Sequence, residues 1–450
     1  MSPFFLFNES CLCYRVGMKS SISPKYDKEV FTAIFREPWE EFLSCHPAYQ
    51  RVQYTEPVRK MLACGTESNG YSEYLCLQCG RDLRRVCFSC KSCFCLSCAT
   101  GYVDDFTEKV GSMLHPGVSY RHVVLTIPQQ LRAVFYAHRH TGDLLSAFMR
   151  CGYACLEDVL STVTRQRLKI GATIVVQTHG RSGSYNPHLH IILSSGGINE
   201  KREKWVELGY FPYPILHKKW QYHLFTMLKR EVDTPEMKQL IDELWARYPQ
   251  GLVANVQRGE VPEGGRGLAR YIAKYVASPP IAIRRIVEYT GREVSYWYQD
   301  HKSKTQKCET IDVLTFIGRM VQHILPKGFQ RVRYYGLQAT KTCKKWCKKI
   351  REGLNTIGRV VRGAYQVVTG KRYRTRFQDL SGRDPLTCRY CGEEMDLVKQ
   401  WHPKHGTFYD ELEHIKQGKY EAISLEVGRE QQNTHPVAIP LQLALFPLVG

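Results

Sequence analysis

At 450 residues, 43% of them hydrophobic and 12% aromatic, the chain is long enough for two or three domains with sizeable cores. A charged fraction of 24% excludes wholesale disorder, and no apolar run nears the roughly 20 residues needed to span a bilayer. The net charge of +20, from 63 Lys and Arg against 43 Asp and Glu, points to a polyanionic partner, nucleic acid rather than membrane.

Residues 1–29 lack periodicity and read as a leader. Phe4 to Phe7 has neither the basic flank nor the cleavage site of a signal peptide, so a cytoplasmic protein is expected. Val30 to Leu43 reads as an amphipathic helix that Pro38 kinks or splits, and Glu56 to Ala63 as another. Eight of the 18 cysteines then fall between Cys64 and Cys98, a cluster that without a secretion signal means metal rather than disulfides. Cys76-x-x-Cys79 is followed after fifteen residues by Cys95-x-x-Cys98, the spacing of two knuckles closing on one structural zinc. Cys64, Cys87, Cys90 and Cys93 are enough for a second site, and the spacing leaves the partition open.

Arg121 to Ile127 is a β-branched strand stopped by Pro128, and Gln129 to Leu168 reads as helical. Gly171 to Gln177 and His188 to Leu193 read as antiparallel neighbours joined by the turn-rich GRSGSYNP, with Ser194 to Gly197 ending the second. His188 and His190 stand two apart on that strand, so both face one way while Leu189 enters the core. The pair is half of a divalent-cation site; Gln177 or His179 can supply a third ligand, and Asn186 is a further polar neighbour. Two histidines satisfied by hydrogen bonds are the plain alternative.

Trp220 to Arg247 reads as helical, and Gly264, Gly265 and Gly267 lead to a helix from Leu268 to Ala277 ended by Pro279 and Pro280. Tyr271 and Tyr275 share one face of it, with Arg270 and Lys274 alongside. A phenol is a weak nucleophile near pH 7 unless a metal polarises the electrophile and basic groups stabilise the developing charge. Two packing tyrosines are the alternative here. Strands are expected at Ala282 to Tyr289 and Glu293 to Gln299, with Asp300 and His301 just beyond, and a helix from Ile311 to Leu325 carrying Arg319 and His323. From Lys327 to Arg376 stand 15 basic residues and one acidic, Glu352. Within it Lys327, Arg331 and Arg333, beside Tyr334 and Tyr335, offer phosphate contacts and stacking faces. Cys388-x-x-Cys391 is a lone knuckle that Cys343, Cys347 or His402 would have to complete.

Taken in order, these motifs resemble the HUH rolling-circle transposases of the two-tyrosine insertion-sequence group over most of residues 30–340. Cys64, Cys76, Cys79, Cys90, Cys95 and Cys98 resemble that family's amino-terminal zinc module, with Cys87 and Cys93 extra. QTHGRSGSYNPHLHIILSSGG resembles its metal segment, RYIAKYVASPPIA its nucleophile helix and FIGRMVQHILPKGFQRVRYYG its downstream block.

The resemblance implies that His188 and His190 hold Mg²⁺ or Mn²⁺ against a phosphate of single-stranded DNA at mobile-element ends. Gln177 is favoured over His179 as third ligand, where many relatives carry His; its neutral oxygen suits a hard ion. It implies attack by Tyr271 or Tyr275, with a 5′-phosphotyrosine link and a free 3′-hydroxyl, and structural Zn²⁺ in the amino-terminal module. Arg270, Lys274, Arg319, Lys327, Arg331 and Arg333 are the expected DNA contacts. The expected architecture is α+β: leader 1–29, helical zinc-binding module 30–105, antiparallel-sheet HUH endonuclease domain 106–325, basic helical segment 326–400, and a partly disordered tail 401–450. A replication initiator or relaxase would share the chemistry. A non-catalytic zinc protein binding nucleic acid would dispense with the tyrosines and the histidine pair.

Overall fold

A computed structural model describes residues 29–92, 94–199, 201–256, 280–300, 303, 305–355, 373–411 and 413. In chain order the elements are α1 (Glu29–Arg36), α2 (Pro38–Cys45), α3 (Val52–Leu62), β1 (Tyr71–Leu75), β2 (Leu83–Cys87), α4 (Leu96–Met113), β3 (Tyr120–Thr126), α5 (Arg132–Ala137) and α6 (Asp143–Thr164). There follow β4 (Lys169–His179), β5 (Tyr185–Asn199), β6 (Lys204–Glu207), α7 (Tyr213–Glu231), α8 (Pro235–Arg247) and β7 (Ala254–Val256). The last described part holds β8 (Ile286–Tyr289), β9 (Glu293–Gln299), β10 (Gln306–Asp312), α9 (Val313–Val321), β11 (Val332–Gly336), α10 (Cys343–Asn355), α11 (Tyr373–Ser381), β12 (Asp396–His402) and β13 (Gly406–Asp410). This is the expected α+β chain, built on antiparallel sheets.

The central sheet runs β11-β4-β5-β3-β7, with β6 on β5. One face buries Leu125, Ile174, Val176, Leu189 and Ile191 beneath α6 and α7. Contact is close at Gly152 of α6, where a Cβ would stand 2.6 Å from Leu189 Cδ1. Leu189 therefore anchors the strand from below, as its place between the two histidines predicts. On the opposite face Val175, Ile192 and Tyr120 pack against Phe106, Val110 and Leu114 at the α4 side.

A second core joins α1 to α3, through Phe31, Phe35, Trp39 and Phe42, to Phe316, Ile317 and Met320 of α9 and to Val294 and Tyr296 of the β10-β9-β8 sheet. Pro38 separates α1 from α2, as expected. A third sheet has the order β13-β12-β1-β2, pairing Tyr71 with Trp401. Residues 401–410, placed in the tail on sequence grounds, thus close the β12–β13 hairpin beside the zinc knuckles.

Several boundaries differ from the sequence expectation. Ser194 to Gly197 does not end β5; the strand runs on to Asn199 because β6 pairs with Gly196 and Gly197. The glycines permit that approach, since a Cβ on Gly196 would lie 2.3 Å from the Val206 carbonyl oxygen. The helical stretch from 129 to 168 breaks at Gly142, whose φ of +77° suits glycine. The helix over 220–247 is two, because Thr234 caps α8 by accepting from Met237 N–H and Pro235 opens it. The helix expected from Ile311 starts at Val313, where the Asp312 carboxylate accepts from the Leu314 and Thr315 amides. Only Ile286 to Tyr289 of the strand expected from Ala282 is paired as a strand; Ile283–Arg285 forms a 3₁₀ turn.

Candidate active site and zinc centres

β4 and β5 place Gln177 directly opposite His188. His190 Nε2 stands 2.9 Å from Gln177 Oε1, and the amide nitrogen of Gln177 lies 3.0 Å from His179 Nε2. Gln177 thus turns its oxygen to the pair and its nitrogen to His179. His188 Nδ1–H donates to the Asn186 carbonyl at 2.7 Å, which leaves Nε2 with its lone pair. The two rings are 4.9 Å apart, centroid to centroid.

Burial holds His188 below the ordinary imidazole range, the Asn186 carbonyl opposes, and Arg132 adds a smaller depression. Burial holds His190 well below it, with His188, His122 and His179 acting the same way. Both rings are therefore neutral at pH 7, the form that ligates a metal. His122 on β3 was not foreseen: its Nε2 is 3.0 Å from His190 Nδ1, behind the ligating edge. The signal lay in RHVVLTI, where His122 falls on the same side of β3 as Val124, the register partner of His190.

This donor set fits a hard divalent cation. Adjacent ligands of an octahedral ion bonded at about 2.1 Å stand about 3 Å apart, close to the His190–Gln177 separation. Asn186 Oδ1 and Arg132 Nε are buried without a partner among the described residues, so polar capacity remains beside His188.

A cleft of about 910 Å³ opens nearby, lined in part by His179, Lys109, Arg150, Arg331, Arg333 and Tyr334. Arg333 donates to Ser146 Oγ at 2.6 Å, and Tyr335 stacks on Tyr153 at 4.9 Å. Lys327 is 84% exposed, with Glu56 at 3.9 Å. Arg319, partly exposed, donates to Glu309 at 2.9 Å and to the Tyr296 hydroxyl at 2.5 Å. Arg270, Tyr271, Lys274 and Tyr275 lie outside the described residues, as do His301 and Cys93.

His323 is buried, stacks on Tyr185, and bonds to Thr178 Oγ1 at 3.1 Å and to the Gly183 carbonyl at 2.9 Å. It braces the β4–β5 loop, and burial pushes its pKa down to about 4. Unfolding releases it to about 6.5. Its contribution to stability is therefore complete above pH 6.5 and lost as pH falls towards 4, roughly 3 kcal/mol in all. Urea titrations at pH 7 and 5 should show wild type losing more stability than His323→Gln; equal losses would remove His323 from that account.

The cysteines form two sets of four. Cys64, Cys90, Cys95 and Cys98 make one and Cys76, Cys79, Cys388 and Cys391 the other. Sulfur separations are 3.4 Å for Cys64–Cys98 and 3.6 Å for Cys90–Cys98. They are 3.4 Å for Cys76–Cys391 and 3.6 Å for Cys79–Cys388. A zinc tetrahedron with bonds near 2.3 Å has edges of about 3.8 Å, so both sets suit structural Zn²⁺.

The pairing of Cys76 and Cys79 with Cys95 and Cys98 is thereby corrected. The partner of the first knuckle is Cys388-x-x-Cys391, which needs neither His402 nor the Cys343–Cys347 pair. Each of these two knuckles ends in a left-handed glycine, Gly80 at φ +67° and Gly392 at φ +82°. Buried Asp82 ties them together, accepting from Arg84 at 3.0 Å and from the Arg389 amide at 2.8 Å and its guanidinium at 2.9 Å. The Arg389 bonds hold its carboxyl well below the usual range. Cys87 stands outside both sets.

Two four-cysteine sets suited to structural zinc and a histidine pair beside Gln177 on an antiparallel sheet are the features that the fold assembles. Comparison with known proteins gives the family. Residues 34–127 match the model “Transposase zinc-binding domain” and residues 171–346 the model “Putative transposase”. Both models describe transposases, and the chain matches the two-tyrosine insertion-sequence transposases. It is 27% identical to the transposase for insertion sequence element IS801 of Pseudomonas savastanoi pv. phaseolicola, over 84% of this chain and 90% of that one. It is 25% identical to “Putative transposase y4qJ” of Sinorhizobium fredii (strain NBRC 101917 / NGR234), over 80% and 92%. No solved structure matches. The protein is thus a transposase with DNA as partner, and no helix among the described residues is long and apolar enough to cross a membrane.

Proposed function

We propose that the protein cuts and rejoins single-stranded DNA at the ends of its element by tyrosine attack on phosphorus, as in rolling-circle transposition. The observation that carries this reading is that His188 and His190 of β5 stand beside Gln177 of β4, whose oxygen is 2.9 Å from His190 Nε2, near a cleft lined with arginine and tyrosine. Mg²⁺ or Mn²⁺ bound there would supply Lewis-acid polarisation of the scissile phosphate. The chain's own residues do the rest. His188 is fixed in its Nε2-basic tautomer by Asn186, and His190 is braced from behind by His122. Lys109, Arg150, Arg331 and Arg333 draw the phosphate backbone into the cleft, and Tyr334 offers a face for unpaired bases.

The Tyr271 or Tyr275 oxygen forms a bond to phosphorus as the bond to the 3′ oxygen breaks. The phenol loses its proton and the 3′ oxygen leaves as a hydroxyl. The phosphotyrosine conserves the diester energy, so the same hydroxyl reverses the step on another strand without ATP. Two tyrosines permit two links in succession.

A labelled oligonucleotide carrying the element end tests the substrate. Cleavage is expected on the single strand with Mg²⁺ or Mn²⁺, leaving a 3′ end that a polymerase extends. Equal cutting of duplex, or cutting undiminished by chelator, would contradict the proposal.

A further inference from the structure

A third cluster of metal-ligating side chains lies away from both four-cysteine sets. His115, in the loop between α4 and β3, meets Cys343 and Cys347 of α10, with the three ligand atoms all within 4.8 Å of one another. The cysteines are one helical turn apart, so both thiols leave the same face of α10, the face that also buries Trp346 and Ile350. His115 is buried, and burial keeps its imidazole neutral.

The hydrogen bonds around His115 fix which nitrogen is basic. Its Nε2–H donates to the Leu337 carbonyl at 2.9 Å, leaving the lone pair on Nδ1. That Nδ1 stands 3.4 Å from Cys347 Sγ, while Cys343 Sγ lies 4.0 Å from Nε2 of the same ring and would turn towards Nδ1 to share an ion. In a zinc tetrahedron with Zn–S near 2.3 Å and Zn–N near 2.0 Å, sulfur and nitrogen lie about 3.5 Å apart. The backbone is pinned as well, because His115 N–H donates to the Tyr120 hydroxyl at 2.7 Å. Two sulfurs and one imidazole are a soft donor set that selects zinc over magnesium or calcium.

The geometry points to a third zinc site, held by His115 Nδ1, Cys343 Sγ and Cys347 Sγ, with its fourth position open to water on the half-buried Cys347 side. Such an ion ties α10 to the sheet where β11 ends. Lys344, Lys345 and Lys348 are exposed on the same helix, so the site sets the direction in which that basic face points. It is independent of the histidine pair on β5.

Metal analysis of the full chain, purified reduced from zinc-supplemented cells, tests this. Wild type is expected to carry one more zinc per chain than Cys347→Ser, and Cys347→His, which restores a ligand, is expected to regain it. Equal zinc in wild type and Cys347→Ser would overturn the site. Zinc-edge anomalous scattering from wild-type crystals gives an answer that depends on no variant. A peak between His115, Cys343 and Cys347 supports the site, and peaks at the two four-cysteine sets without one here reject it.

Discussion

Replacing His188 and His190 together by alanine is expected to lower metal-dependent strand cleavage by about 10³-fold while DNA binding stays within a few-fold of wild type. Lewis-acid stabilisation of a phosphoryl transition state is worth several kcal/mol, and each 1.4 kcal/mol is tenfold in rate. Both rings are neutral on β5, His190 buried and His188 half-buried, and Leu189 between them carries the packing, so the fold should tolerate the change better than the chemistry does. Gln177→Glu is the informative companion. A carboxylate keeps an oxygen at the same place and should retain cleavage, whereas Gln177→Leu should lose it. Single-turnover rates measured with saturating Mn²⁺ check the series. A double alanine variant that cuts at the wild-type rate would take the pair out of the chemistry.

The second large effect is on stability. Cys388→Ser with Cys391→Ser is expected to remove one zinc per chain and to free β12 and β13 from β1. Structural zinc contributes on the order of 10 kcal/mol to folding in small domains, and here it closes a separation of 309 residues between Cys79 and Cys388. Cys76→Ser with Cys79→Ser should have the same effect, and the fourfold variant should be no worse than either pair, because all four thiolates serve one ion. Zinc content and limited trypsinolysis of residues 373–411 read the outcome. Additive losses would mean that the two knuckles bind separate ions.

What the sequence made legible follows from local pattern. The H-x-H spacing on a β-branched run put both histidines on one face, and β9 occupies Glu293 to Gln299 to the residue. Gln177 falls opposite His188 because a short turn-rich loop dictates an antiparallel hairpin. What stayed hidden depends on contacts distant along the chain. Nearest-neighbour spacing paired Cys76-x-x-Cys79 with Cys95-x-x-Cys98, whereas the fold brings Cys388-x-x-Cys391 back beside β1. A shared feature was available: both true partners read C-x-x-C-G, and the glycine takes a conformation that other residues resist. His122 escaped notice because a lone histidine on a strand acquires meaning only when the neighbouring strand is known. His323 falls in a stretch that reads as one DNA-facing helix, yet the helix ends at Val321 and the Gly183 carbonyl engages His323 inside the protein.

The central claim is covalent attack by one of two tyrosines, and the most direct measurement is recovery of the protein–DNA adduct. Wild type is incubated with Mg²⁺ and a labelled single strand bearing the element end, denatured, digested and mapped by mass spectrometry. The account predicts a nucleotide attached through a 5′ phosphate to Tyr271 or Tyr275, reduced in one of the single phenylalanine variants and absent from the double variant. Cleavage that proceeds without such a link, or an adduct that survives Tyr271→Phe with Tyr275→Phe, would contradict it.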